Sequence, residues 1–122
     1  MIIRNWRDSI PYVGHESKII WPILTRAGSE NADPPEAGCL LGLTNFTRHV
    51  VQGRITTDYH DHQDKEQVYY FIKGRGKMLI DGEEYPVTAG DAVHLPPKTK
   101  HGVINDGEDE IEYLNISAPV EQ

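Results

Sequence analysis

Apolar residues in this chain alternate with polar ones over short stretches and never settle into a sustained helical period. The clearest stretch is VYYFIKG, rich in aromatic and β-branched residues, which predicts a strand entered at Gln67. On such a strand Gln67, Tyr69 and Phe71 share one face, and Val68, Tyr70 and Ile72 the other. From Cys39 onward strand follows strand: CLLGLTNFT, then HVVQGRIT with a turn at Gln52-Gly53, then a strand bearing His60 and His62. KMLI and EEYPV flank Asp81-Gly82, the strongest hairpin signal in the chain. AVHLP, closed by two prolines, and HGVIN follow, and the turn Asn105-Asp106-Gly107 leads into EIEYLNIS.

Ahead of this region the pattern is thinner. Residues 1–17 are polar and mixed, SKIIWPILT reads as the first good strand, and Pro22 places it at a sheet edge. Residues 26–37, with Gly28 and two adjacent prolines, read as a loop. We therefore divide one domain of 122 residues into an N-terminal arm and loop, 1–37, and a barrel core, 38–118. The arm is placed to fold over its own barrel or over a partner subunit. Seven or eight short strands with frequent turns, and no repeat, predict an all-β sandwich or barrel.

Composition narrows the function. The chain is long enough for one core and too short for two ordinary domains. A net charge of −7 with no basic run argues against nucleic acid, which requires a basic footprint. No apolar run approaches the ~20 residues that span a bilayer, and MIIRNWRDS interrupts any signal-peptide core. With a lone Cys39 this predicts a cytoplasmic protein without membrane partners.

The candidate chemistry lies in YHDHQDKEQ. Two residues apart on a strand, His60 and His62 project from one face, and an antiparallel neighbour brings Gln67 close. Paired neutral imidazoles are the beginning of a transition-metal site.

The same residues resemble the cupin family of small jelly-roll barrels. Gly53, His60, His62, Gln67 and Gly74 follow its first motif, with one extra residue between Gly53 and His60. Gly90, Pro96, His101 and Asn105 follow the second at every spacing, with Lys98 in place of the inner glycine. The resemblance covers residues 39–117 and implies one divalent metal held by His60, His62, Gln67 and His101. Gln67 stands where the family usually has glutamate. Glu66 is its neighbour, but only Gln67 leaves six residues before Gly74.

Such a donor set is wholly neutral, so the ion keeps its full charge. That favours Lewis-acid lyase or isomerase chemistry on a small oxygenated metabolite over oxygen activation at iron. The alternatives are an iron-dependent dioxygenase and a non-catalytic cupin binding a sugar or effector. Manganese, iron, nickel, cobalt and zinc all suit the donors. Proton carriers are sought in Tyr69, Tyr113 and Glu66, with core packing the competing role for Tyr69 and either orientation open for Tyr113. Arg48 and Arg54 are candidates for a substrate carboxylate. His15 and His49 are expected at the surface, His94 outward, Asp91 as a turn cap, and Trp6 and Trp21 within the arm. A homodimer shielding the sheet edges is expected.

Overall fold

The computed structural model describes residues 1–15, 17–30 and 32–121; Glu16 of the arm and Asn31 of the expected loop lie outside them. Ten strands follow in order: β1 (Tyr12–Gly14), β2 (Lys18–Arg26), β3 (Gly38–Leu40), β4 (Asn45–Val51) and β5 (Lys65–Lys73) come first. Then come β6 (Arg75–Ile80), β7 (Glu83–Thr88), β8 (Ala92–Leu95), β9 (His101–Ile104) and β10 (Ile111–Pro119). Short 3-10 turns span Trp6–Asp8 and Pro35–Ala37, and no described helix is long and apolar enough to cross a membrane. A large sheet runs β1-β2-β4-β10-β5-β8, with β3 parallel to β2, and a second sheet runs β7-β6-β9. Two sheets of short strands are the all-β architecture that the strand pattern predicts and the jelly roll that the cupin resemblance implies.

Three antiparallel strands organise the interior. Tyr113 of β10 pairs with His49 of β4 and Phe71 of β5, and Asn115 pairs with Thr47 and Tyr69. Every second residue on these strands points inward, as Gln67, Tyr69 and Phe71 do on β5. At one end the inward residues are apolar: Val51, Phe71 and Ile111, packed with Met78, Val87 and Val103. Toward the other they become Thr47, His49, Gln67, Asn115 and Ser117, all buried. The interior thus divides into an apolar floor and a polar chamber.

Local chemistry explains the turns. Asp81 and Gly82 both have positive φ, 45° and 86°, in the two-residue hairpin joining β6 to β7. Asp91 accepts the Thr88 N–H at 2.8 Å, the turn cap expected of it.

Several expectations are corrected. Residues 18–26 are not part of an arm laid over the barrel: β2 hydrogen-bonds to β4 inside the large sheet, with β1 on its other side. Pro22 is tolerated there because its backbone faces away from β4, where its carbonyl accepts from Ser9 Oγ at 2.6 Å. CLLGLTNFT is broken after Leu40 and resumes at Asn45, around Gly42. HVVQGRIT does turn after Val51 at Gln52-Gly53 as expected, where the backbone of Glu108 leaves no room for a side chain on Gly53, but the strand does not resume after it. The histidine strand does not form; His60 makes only an isolated bridge to His101.

Candidate metal centre

His60 and His62 are brought together by individual bonds rather than by a ladder. Thr57 N donates to Val103 O at 2.9 Å, and His60 and His101 exchange backbone bonds of 3.0 and 2.8 Å. Lys98 N then donates to His62 O at 2.6 Å from a residue with φ 66°. Left-handed backbone favours glycine, and Lys98 occupies the motif position where the family has it.

Three rings converge as a result. Centroids lie 4.6 Å apart for His60 and His101, 4.9 Å for His60 and His62, and 5.7 Å for His62 and His101. Each offers a nitrogen within 4.8 Å of the others. His101 Nδ1 donates to Thr99 O at 2.9 Å, which leaves Nε2 buried without a partner. His60 Nδ1 faces the Asp58 carboxylate at 3.2 Å, which turns its Nε2 the other way. Burial, chiefly, lowers both His62 and His101 to about 4; Lys65 adds to this at His62, and the Thr99 carbonyl opposes it at His101. Both imidazoles are neutral at pH 7, as ligands must be.

Gln67 meets the same requirement. Its Nε2 donates to Asn115 Oδ1 at 3.3 Å, so Oε1 is the atom left over, buried and unpartnered. A buried acceptor without a donor costs about 1–3 kcal/mol. Two of them, His101 Nε2 and Gln67 Oε1, fit a divalent cation as their common partner. His62 and Gln67 line a cavity of about 730 Å³ with Thr47, His49, Lys65 and Asn115. Glu66, the neighbour of Gln67, points to the outer face and meets exposed His94 at 2.9 Å.

Tyr69 and Tyr113 are both sealed in the interior, with rings 4.5 Å apart, which settles the orientation of Tyr113. Burial pushes both phenols well up, so they stay protonated.

Other expectations fail. His49 is 3% exposed, not a surface residue, because inward positions of β4 project into the chamber. His15, by contrast, is exposed as expected, and it stacks on His60 at 4.4 Å and shares Asp58 with it. Arg48 does not reach the cavity: it pairs with Glu112 and lies 3.9 Å from the Trp6 ring and 4.4 Å from that of Trp21. Arg54 is exposed and pairs with Glu108. Sequence reasoning missed Lys18, 1% exposed, whose Nζ donates to the Tyr113 hydroxyl at 3.1 Å. It also missed Asp58; the signal available was an acidic residue two positions before His60.

Comparison with known proteins agrees with this geometry. The family model of the cupin domain matches residues 46–117. An uncharacterised protein of Methanocaldococcus jannaschii is 40% identical over 101 residues, 82% of this chain and 81% of that one. The glucose-6-phosphate isomerase of Thermococcus onnurineus is 35% identical over 63 residues, 48% of this chain and 33% of the isomerase. The match thus spans about a third of that enzyme. A solved structure described as a predicted oxalate decarboxylase from Thermotoga maritima superposes with TM-score 0.79 at 18% identity, over 98% of this chain and 100% of that one, a likeness of fold. By its matched domain and its architecture, the chain belongs to the cupin domain family.

Proposed function

We propose that this cupin is a metal-dependent enzyme of isomerase or lyase type, acting on a small hydroxy-carbonyl metabolite. The observation that carries the reading is the pair of buried, unpartnered acceptors, His101 Nε2 and Gln67 Oε1, beside the converging imidazoles of His60 and His62. A divalent ion held by His60, His62, Gln67 and His101 would supply Lewis-acid polarisation of a substrate carbonyl and so acidify the adjacent C–H. No carboxylate belongs to that donor set, so none of the ion's charge is offset, which suits polarisation better than oxidation of the metal.

The chain's own groups supply the rest. The cavity bounded by Thr47, His49, Lys65 and Asn115 has room for a small sugar-like molecule, and its polar wall can hold hydroxyl groups. Tyr69 and Tyr113, held protonated, serve as donors rather than bases. Glu66 is engaged with His94 and has no part in the step. The isomerase named among the relatives supports the same substrate class. The reading includes a homodimer, in which exposed Ile3, Ile10 and Val13 are covered by a second copy.

The test is metal analysis of protein purified without chelator, followed by assay of the loaded protein on aldose–ketose pairs. One ion per chain with turnover is expected. Absence of metal uptake on reconstitution overturns the reading. Oxygen consumption by the iron-loaded protein, in place of isomer interconversion, replaces it with a dioxygenase.

A further inference from the structure

Apart from the four candidate ligands, a second line of buried polar groups crosses the large sheet. It begins at Lys18 Nζ, which donates to the Tyr113 hydroxyl at 3.1 Å. That hydroxyl lies 3.1 Å from Nδ1 of His49, and Nε2 of the same ring lies 2.9 Å from Thr47 Oγ1. His49 and Thr47 line the cavity that His62 and Gln67 also line. An unbroken hydrogen-bonded path therefore connects a sealed amine to the cavity wall.

Packing alone does not account for Lys18. A methionine would fill similar space without burying a charge, and burying an amine that is 1% exposed is costly. The groups facing it are the Tyr69 ring of β5 at 5.7 Å, the Tyr113 ring of β10 at 5.8 Å and His49 of β4 beyond the Tyr113 hydroxyl, and its charge is also felt by His15 and by His101 of β9. Among the described residues, Asp58 is the carboxylate that acts on it. Burial dominates over Asp58 and lowers Lys18 to about 8, so the amine can release a proton near neutral pH. Burial, with Lys18 and His15 adding to it, keeps His49 uncharged and able to pass a proton from one ring nitrogen to the other.

We propose that Lys18 is the proton reservoir of the site, exchanging a proton with bound substrate through Tyr113 and His49. The proposal rests on the isomerase or lyase reading and adds its acid–base group. In the delivering direction, substrate takes the place of Thr47 Oγ1 as the acceptor of His49 Nε2–H, the electron pair of its carbanion or enolate forms a bond to that proton, and the N–H bond breaks. Nδ1 of His49 takes the hydroxyl proton of Tyr113, and the Tyr113 oxygen takes a proton from the Lys18 ammonium, which ends as a neutral amine. The reverse order removes a proton from substrate. No electrons are gained or lost. His49 is the group that touches substrate, while Tyr113 and Lys18 act through it.

The experiment uses the full chain loaded with zinc, which is diamagnetic, and compares wild type with Lys18→Met and Tyr113→Phe. Ring nitrogen resonances of His49 should titrate in wild type with a midpoint near that of Lys18, and this titration should vanish in both variants. With a substrate in hand, Lys18→Met should lower turnover about 100-fold. It should also remove the alkaline limb of the rate–pH profile and leave metal content unchanged. His49 resonances indifferent to pH between 7 and 9, or an unaltered pH profile in Lys18→Met, overturn the path. If no hydroxy-carbonyl compound is turned over, the functional reading falls, and the nuclear resonance titration still decides whether the path exists. Tyr113→Phe keeps the ring, so a variant lost to misfolding at position 18 does not remove the test.

Discussion

Lys98 donates its backbone N–H to the carbonyl of His62 at 2.6 Å, and with the paired bonds between His60 and His101 this ties the two halves of the cupin signature together. The Lys98 bond requires the left-handed conformation that Lys98 adopts at φ 66°. Proline cannot adopt that φ and has no N–H to donate. Lys98→Pro should therefore free the histidine segment and lower metal occupancy severalfold, whereas Lys98→Gly should keep occupancy and change stability by no more than about 1 kcal/mol. Metal content by mass spectrometry on the two variants checks this; equal occupancy would show that the bond does not hold the site.

Ligand identity separates Gln67 from Glu66. His101→Ala should abolish most metal binding, while Glu66→Ala should leave it intact, because Glu66 is engaged with His94 on the outer face. Isothermal titration with zinc or manganese reads both. Loss of binding in Glu66→Ala would move the ligand to that residue.

Gln67→Glu should have opposite effects on the empty and loaded protein. Without metal, the variant buries a carboxylate whose Asn115 partner offers an acceptor, which should destabilise the fold by about 2–4 kcal/mol. Metal should restore the loss and bind at least as tightly, while turnover falls because the added negative charge weakens polarisation. Thermal melts with and without metal reveal the reversal.

Acid should unfold the metal-free protein early. Burial holds His62 and His101 at about 4, below the 6.5 of a free imidazole. Between these values the unfolded chain binds protons that the folded chain refuses, so stability present above 6.5 is lost as pH falls toward 4. Denaturant midpoints measured from pH 7 to 4.5 should fall, and His101→Gln should flatten part of the slope.

Lys18→Met should be more stable than wild type at pH 7. The buried amine is lowered from 10.5 to about 8, and relief of its desolvation is expected to raise stability by about 1–3 kcal/mol despite the lost bond to Tyr113. A variant that melts higher and turns over more slowly identifies a residue kept for chemistry rather than for folding.

Much of the architecture was legible because it is set locally. The β5 register follows from alternation alone, and the hairpin at Asp81-Gly82 follows from two residues that accept positive φ. What was hidden depends on distant partners. HVV in β4 gives no inside or outside, because both faces of the strand are covered from Thr47 to Val51, so His49 passed for a surface residue. Lys18 opens an apolar run and reads as a solvated strand end; only pairing of β2 with β1 and β4 encloses it. The irregular path of the histidine segment follows from bonds to His101 and Lys98, about forty positions away, which no local pattern announces.

The stacking of Trp6 and Trp21 on Arg48 has an optical consequence. These are the only two indoles in the chain, and they meet edge to face with centroids 5.6 Å apart. Intrinsic tryptophan emission is therefore a private signal of the joint between the N-terminal segment and the outer face of β4, and is silent about the metal chamber. A red shift that precedes the loss of far-ultraviolet dichroism would show that segment detaching while the two sheets remain folded.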